Sequence, residues 1–333
     1  MTLELSPLAA VHTPAAADLL DQWYVRARKA LPYLSGRGAG FSEAHALVEA
    51  RRSEAGSIGV VGSRRGEMVG YLAAAPLDLK PDERSALYGH PRSALVAYGG
   101  FAAAQGSETD VLRELYAYVA ERLVAQHRLV HYVQMPADDN VAMAWFRLGF
   151  GLEQIRGLMP IKIRGRQPRG VGGLTIRRAS PGDLPQVGRM AVEVARHHRQ
   201  SATFLPQPDT ALAALREHYA EALTDPRCAA WLAVRGGEEI GMVVLTPAKP
   251  GPLMPASTVD LAEAYVDPPA RGEGVSRVLI ATALTWAYDN GYRYVTAGWR
   301  TASPLAAGHW PKVGFKPVAY RLSRIIDPRI VGG

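Results

Sequence analysis

The sequence predicts a mixed α/β fold, of the α+β kind, in which one plan of strands and helices is laid down twice. Three observations predict it. An Arg-, Gly- and Pro-rich stretch, Arg164 to Gly173, divides the 333 residues near the middle. After it, strand-period and helix-period segments begin afresh. Short signatures also recur at matching places: Gly66-Glu67-Met68-Val69-Gly70 with Gly237-Glu238-Glu239-Ile240-Gly241, and Leu148-Gly149-Phe150 with Val313-Gly314-Phe315. Similarity at that separation points to duplication of a whole domain, not to a short-period solenoid. The expected division is 1–163, a linker at 164–173, and 174–333.

In the N-terminal half, Gly66 to Gly70 marks a hairpin. A helix over Val111 to Ala125 leads to a strand over Leu129 to Gln134 and a short helix from Asp139. The C-terminal half is easier to read. Leu174 to Arg178 alternates as a strand, and Ser180-Pro181-Gly182-Asp183 supplies helix-start chemistry before Leu184, Val187 and Met190. A second helix spans Asp209 to Leu223. Strands Ala229 to Val234 and Ile240 to Leu245 flank a glycine turn, and Val259 to Val266 forms the next strand. Val275, Val278, Leu279, Ala283, Trp286 and Ala287 recur at helical spacing until Asn290-Gly291 stops them. Tyr292 to Trp299 reads as a strand. Ser303 and Pro304 fit an N-cap and first helical residue, and a last strand begins at Phe315.

Composition narrows the function. At 48% hydrophobic and 21% charged, the chain is globular. No apolar run is long enough to span a bilayer, so no membrane partner is expected. Met1 to Leu5 lacks a basic region followed by an apolar core, which predicts no signal peptide. A single cysteine, Cys228, excludes an internal disulfide and a cysteine-rich metal site; it reads as a small apolar filler, and a reducing, cytoplasmic setting is expected. The net charge of +7 favours anionic partners. Its densest cluster, Lys162, Arg164, Arg166 and Arg169, runs into glycines and reads as a solvated linker. Without zinc-finger spacing or an aromatic RNA-binding signature, nucleic acid ranks behind a phosphorylated cofactor as the partner.

The chemistry concentrates in Val266-Asp267-Pro268-Pro269-Ala270-Arg271-Gly272-Glu273-Gly274-Val275-Ser276, between a predicted strand and a predicted helix. That context puts unpaired amides of a helix's first turn at a strand end, where they can hold a pyrophosphate. The glycines permit close approach and Arg271 adds charge. The simplest alternative is an ordinary strand-to-helix turn. A Walker loop is excluded because Gly-Lys-Ser/Thr is missing, and a dinucleotide fingerprint because Arg277 stands where a third small residue is needed.

Val266-Asp267-Pro268 followed by Arg271-Gly272-Glu273-Gly274-Val275 resembles the acyl-CoA signature of the GNAT superfamily of N-acetyltransferases. Ser303, Ala306, Trp310, Gly314 and Phe315 resemble its second motif, and the likeness extends over Leu174 to Asp327. It implies two tandem GNAT-like lobes, each a mixed, mostly antiparallel twisted sheet flanked by helices. It also implies acetyl-CoA, or another acyl-CoA, as cosubstrate without a metal. The residues it implies for that cosubstrate are Ala264, Tyr265 and Val266 on the strand; Arg271, Gly272, Glu273, Gly274, Val275 and Ser276 in the loop; and Ser303, Ala306 and Trp310 beside the pantetheine arm. In the N-terminal half, Asp138, Ala142, Trp145, Gly149 and Phe150 are similar to the second motif. The loop there reads Phe101 to Glu108 without the arginine or paired glycines, so this lobe is expected to have kept the fold and lost the cofactor.

The resemblance implies direct attack of an amine on an acyl thioester, with a backbone amide near Ala264 to Val266 holding the oxyanion. Glu263, ahead of Asp260, could serve as base directly or through water; the simpler alternative is that Glu263 is the polar face of an alternating strand. Trp310 stands where the family often has a tyrosine acid. Tyr265 and Tyr294 are candidate substitutes, although both also read as core or rim aromatics. Ser276 stands where the family favours glycine or alanine. His309 reads as a surface or packing residue, and His197-His198 lacks the carboxylates of a metal site. The expected acceptor is a small-molecule or peptide amine, with the chain a monomer or homodimer. A non-catalytic acyl-CoA-binding or regulatory protein is the alternative.

Overall fold

A computed structural model of the chain describes residues 3–30, 40–162, 171–249 and 251–331. They form two compact units, Met1–Leu79 with His90–Ile155 and Pro317–Gly333, and Lys80–Gly89 with Arg156–Lys316.

The first unit opens with β1 (Glu4–Pro7), α1 (Thr13–Ala30) and α2 (Phe41–Arg52). The hairpin β2 (Ile58–Arg64) and β3 (Glu67–Asp78) turns where the glycine signature predicts. Then come β4 (Arg92–Val96), β5 (Phe101–Ala103), α3 (Glu108–Ala125), β6 (Val130–Pro136) and α4 (Asp139–Phe146). The strand β7 (Gly151–Pro160) begins in this unit and ends in the next. Trp145, Tyr24, Tyr71 and Phe101 fill the core.

In the second unit, β8 (Leu174–Arg178) leads to α5 (Leu184–Gln200) and α6 (Asp209–Thr224). The start of α5 is fixed by Asp183, whose Oδ2 accepts from both the amide and hydroxyl of Ser180, at 2.8 and 2.9 Å. Its Oδ1 takes Arg177 at 2.7 Å, and Arg177 also reaches Glu239 at 2.9 Å. Next follow β9 (Ala229–Arg235), β10 (Glu238–Pro247), β11 (Thr258–Val266), α7 (Val275–Asp289), β12 (Tyr294–Arg300) and α8 (Pro304–Val313). The sheet order is β7-β12-β11-β10-β9-β8, antiparallel from β11 outward and parallel between β11 and β12. Val275, Leu279, Ala283 and Ala287 are the buried stripe of α7, as the helical spacing predicts.

The second glycine of the recurring hairpin signature marks a close approach in both units. A Cβ at Gly70 would lie 2.5 Å from Val111, and one at Gly241 would lie 2.9 Å from the Tyr265 carbonyl.

Two segments depart from the linear division. The last strand, β13 (Lys316–Ile325), completes the first unit by pairing antiparallel with β6, from Ala319 opposite Pro136 to Ile325 opposite Val130. Lys80–Gly89 belongs to the second unit. It is seated on α6, with Ala86 and Leu87 in one apolar cluster with Leu215 and Tyr219. Thr210 donates to the Pro81 carbonyl at 2.7 Å, and Arg300 donates to the Tyr88 carbonyl at 2.9 Å. Strand partnership depends on which edge is open, which sequence order alone does not decide. Of the expected linker, 164–170 lies outside the described residues. Among the described residues, no helix is long and apolar enough to cross a membrane.

Candidate functional site

The second unit contains a cavity of about 350 Å³ between β11, β12, α5, α8 and the start of α7. It exists because β11 and β12 part. Their parallel register covers only Thr258 to Asp260 against Tyr294 to Thr296, while β11 stays paired to β10 as far as Val266. Beyond Asp260, the β11 edge that faced β12 opens onto the cavity. Just there the register with β10 shifts, Val244 facing Glu263 and Leu245 facing Leu261, so Ala262 is an extra residue. Such a bulge bends a strand and re-aims the side chain that follows.

The loop after β11 makes a one-turn 3-10 helix, Pro268–Ala270, and then passes through Gly272 at φ +84° and Gly274 at φ +92°. These left-handed values favour glycine. Gly274 is the N-cap of α7, and the first turn of that helix carries no acidic residue. The amides of Val275 and Ser276 have no preceding carbonyl within the helix and add to its positive end. The Arg271 side chain folds back so that Nε donates to the Val266 carbonyl at 2.9 Å. At the other end, Ser303 caps α8 by accepting from the Ala306 amide at 3.4 Å. Trp310 is buried edge-on against Phe315, with ring centroids 5.5 Å apart.

Of the thirteen expected site residues, twelve line this cavity: Glu263, Ala264, Tyr265, Val266, Arg271, Gly272, Gly274, Val275, Ser276, Ser303, Ala306 and Trp310. The thirteenth, Glu273, is exposed in the same loop and turns its side chain to Arg235 at 2.7 Å.

Glu263 is half-buried on the wall, with Oε2 accepting from the Tyr219 hydroxyl at 3.1 Å. Burial pushes its carboxyl up to about 7, against the downward pull of Tyr219, the Ala264 amide and Arg84. Asp260 lies off the cavity wall and is paired with Arg156 at 3.0 Å, which leaves Glu263 as the carboxylate facing the cavity. Tyr265 is on the wall, its phenol raised to about 12 by burial and by Asp267; Tyr294 is not on the wall.

Three histidines, His197, His198 and His309, also line the cavity, a placement the sequence does not signal. Burial lowers all three, His198 to about 4, so they stand neutral at pH 7. His197 Nε2 lies 3.4 Å from Ser303 Oγ. Among the described residues, no cluster of three histidine, cysteine, aspartate or glutamate side chains could hold a metal.

The corresponding region of the first unit is closed. Asp138 caps α4 through the amides of Asn140 and Val141, and Trp23 fills the space beside it, 4.9 Å from the Phe101 ring. The remaining hollow, lined by Trp23, Phe101 and Glu108, measures about 10 Å³. That is room for at most one water molecule. Glu108 and Asp110 occupy the first turn of α3 and already complement its positive end.

Residues 192–315 match the sequence model of the acetyltransferase (GNAT) family. The second unit carries a GNAT acetyltransferase domain. The matched segment runs from the middle of α5 to the residue before β13 and includes the whole cavity wall. Across the full chain, a GCN5-related N-acetyltransferase from Sphaerobacter thermophilus is similar at 16% identity, covering 98% of this chain and 96% of its own, with a TM-score of 0.54. A GCN5-related glucosamine N-acetyltransferase region of a fungal multi-domain β-N-acetylglucosaminidase is 13% identical, covering 97% of this chain and 38% of that one, with a TM-score of 0.54. A tandem GNAT protein from the clavulanic acid biosynthesis pathway is 16% identical and covers 97% of this chain and 98% of its own, with a TM-score of 0.47. No curated protein matches the chain significantly in sequence. At these identities the two likenesses with TM-scores of 0.54 show the fold alone, mostly antiparallel sheet flanked by helices as in GNAT proteins.

Proposed function

We propose that the GNAT domain transfers an acyl group, with acetyl-CoA as the first expected donor, to the primary amine of a small molecule or peptide, and that the first unit takes no cofactor. The observation that carries this reading is the convergence of Glu263 and the Gly272–Gly274 loop on one cavity, set against about 10 Å³ at the matching place in the first unit.

The residues fit an acyl-CoA. The amides at the start of α7 and the charge of Arg271 suit its pyrophosphate, and the opened β11 edge suits its pantetheine amides. Bound there, the cosubstrate would supply an activated thioester. Glu263 takes a proton from the incoming amine, and its pKa of about 7 leaves it ionised in part at neutral pH. Backbone amides on the open β11 edge are fixed donors for the developing oxyanion, needing no reorganisation. Trp310 has no acidic proton to give the departing sulfur. A thiolate whose parent thiol titrates near roughly 8.5 leaves without a dedicated acid.

The test is thiol release from acetyl-CoA in the presence of a panel of primary amines, with Glu263→Gln as control. Amine-dependent release that the substitution abolishes is expected. Binding of acetyl-CoA without release for any amine would favour a non-catalytic acyl-CoA-binding protein.

A further inference from the structure

The Glu263 carboxylate meets two donors, the Tyr219 hydroxyl and the Ala264 amide. Tyr219, on α6, donates its hydroxyl to Oε2 at 3.1 Å. The tyrosine itself is locked, 1% exposed in an apolar cluster with Ala86, Leu87, Leu215 and Tyr265. Glu263 follows the bulged Ala262 on β11, which aims its side chain toward α6. A glutamate at a cavity wall otherwise has several rotamers to choose from, and ordering it costs entropy at each turnover.

We propose that Tyr219 is a positioning residue: its hydroxyl fixes Oε2 so that Oε1 is presented to the acceptor amine in a single orientation. This rests on the assignment of Glu263 as base. The seated segment Lys80–Gly89 reinforces it, since Ala86 and Leu87 close the cluster around the Tyr219 ring. The groups facing Glu263 are Tyr219 from α6, Tyr88 and Arg84 from the seated segment, and the Ala264 amide on its own strand. His198 of α5 lines the same cavity in its neutral form. Asp260 on β11 is occupied by Arg156. A donor to the ionised carboxylate favours that form, so removing the hydroxyl raises the pH at which Glu263 loses its proton.

The substitution Tyr219→Phe keeps the ring and deletes only the donor. In protein labelled with 13C at the glutamate carboxyl, Glu263→Gln identifies the Glu263 signal. Tyr219→Phe is expected to move its titration upward by about half to one pH unit. With the best amine of the panel, the acid limb of the rate profile should move the same way, kcat falling near neutrality while the KM for acetyl-CoA stays within about twofold. A second measurement needs no change at Tyr219. In wild-type protein, the 13Cζ signal of Tyr219 should show a step near pH 7 that Glu263→Gln removes. Coincident Glu263 titrations in wild type and Tyr219→Phe, or no step at Tyr219, would overturn the proposal. If Glu263→Gln loses turnover and Tyr219→Phe does not, only the positioning role falls. If Glu263→Gln keeps full turnover, the base assignment falls and the positioning role with it.

Discussion

Trp23 donates its indole N–H to Asp138 Oδ2 at 3.0 Å. Asp138 is the N-cap of α4, and Ser303 is the N-cap of α8 at the matching place in the second unit. There the capping residue lines a cavity; in the first unit it receives a tryptophan. The same helix-start chemistry therefore serves a closed core in one unit and an open cleft in the other.

Trp23 is 4% exposed, so Trp23→Ala should lower the unfolding free energy by about 3–5 kcal/mol, read from denaturant titrations. The cavity it leaves lacks the glycine loop, and the stoichiometry of acetyl-CoA should stay at one per chain. A second binding site in the variant would show that Trp23 alone silences the first unit.

Asp183 ties the start of α5 to the sheet. Its Arg177 partner, then the amide and hydroxyl of Ser180, hold its carboxyl well below the usual range. A depressed folded pKa adds stability that is complete above the unfolded value and is lost as pH falls through the folded one. Arg177 is 38% exposed, so solvent screening limits the ion pair's share. Asp183→Asn should cost about 1–2 kcal/mol at pH 7, with the difference from wild type narrowing below about pH 3. An equal gap at pH 7 and pH 2 in urea unfolding would contradict the ionic origin.

Glu263 shows the opposite sign. Its folded carboxyl, at about 7, stands above its ordinary value of 4.5, so the fold favours the protonated form. The cost of ionising it grows as pH climbs from 4.5 and is complete above 7. Glu263→Gln should therefore stabilise the protein by about 1–3 kcal/mol at pH 8 while abolishing turnover. In the wild type, kcat/KM should rise with pH through about 7. Thermal unfolding at pH 5 and pH 8 checks the first expectation, and a pH–rate profile checks the second.

Much of the second unit was legible because its signals are local. The stripe of α7, the cap at Ser303 and the loop glycines each follow from residues a few positions apart. The family resemblance, and not a local signal, singled out the twelve residues that the structure brings to one cavity wall. Four things were not legible. β13 leaves the segment that precedes it to pair with β6, and Lys80–Gly89 joins the second unit through Ala86 and Leu87. Both are tertiary choices that no periodicity encodes. His197 and His198 lie at the end of an amphipathic helix, where nothing in the spacing distinguishes a cavity wall from solvent. The bond from Tyr219 to Glu263 spans two elements 44 residues apart and was equally invisible.

The central claim is that one acyl-CoA binds per chain, at the start of α7. Calorimetric titration of wild type and Gly274→Glu with acetyl-CoA tests it most directly. Gly274 sits at φ +92°, so the substitution strains the loop and places a carboxylate where phosphate is expected. The predicted result is saturable binding of about one molecule per chain in wild type, lost in a folded Gly274→Glu protein. Absence of binding by folded wild type, or equal affinity in the variant, would contradict the placement.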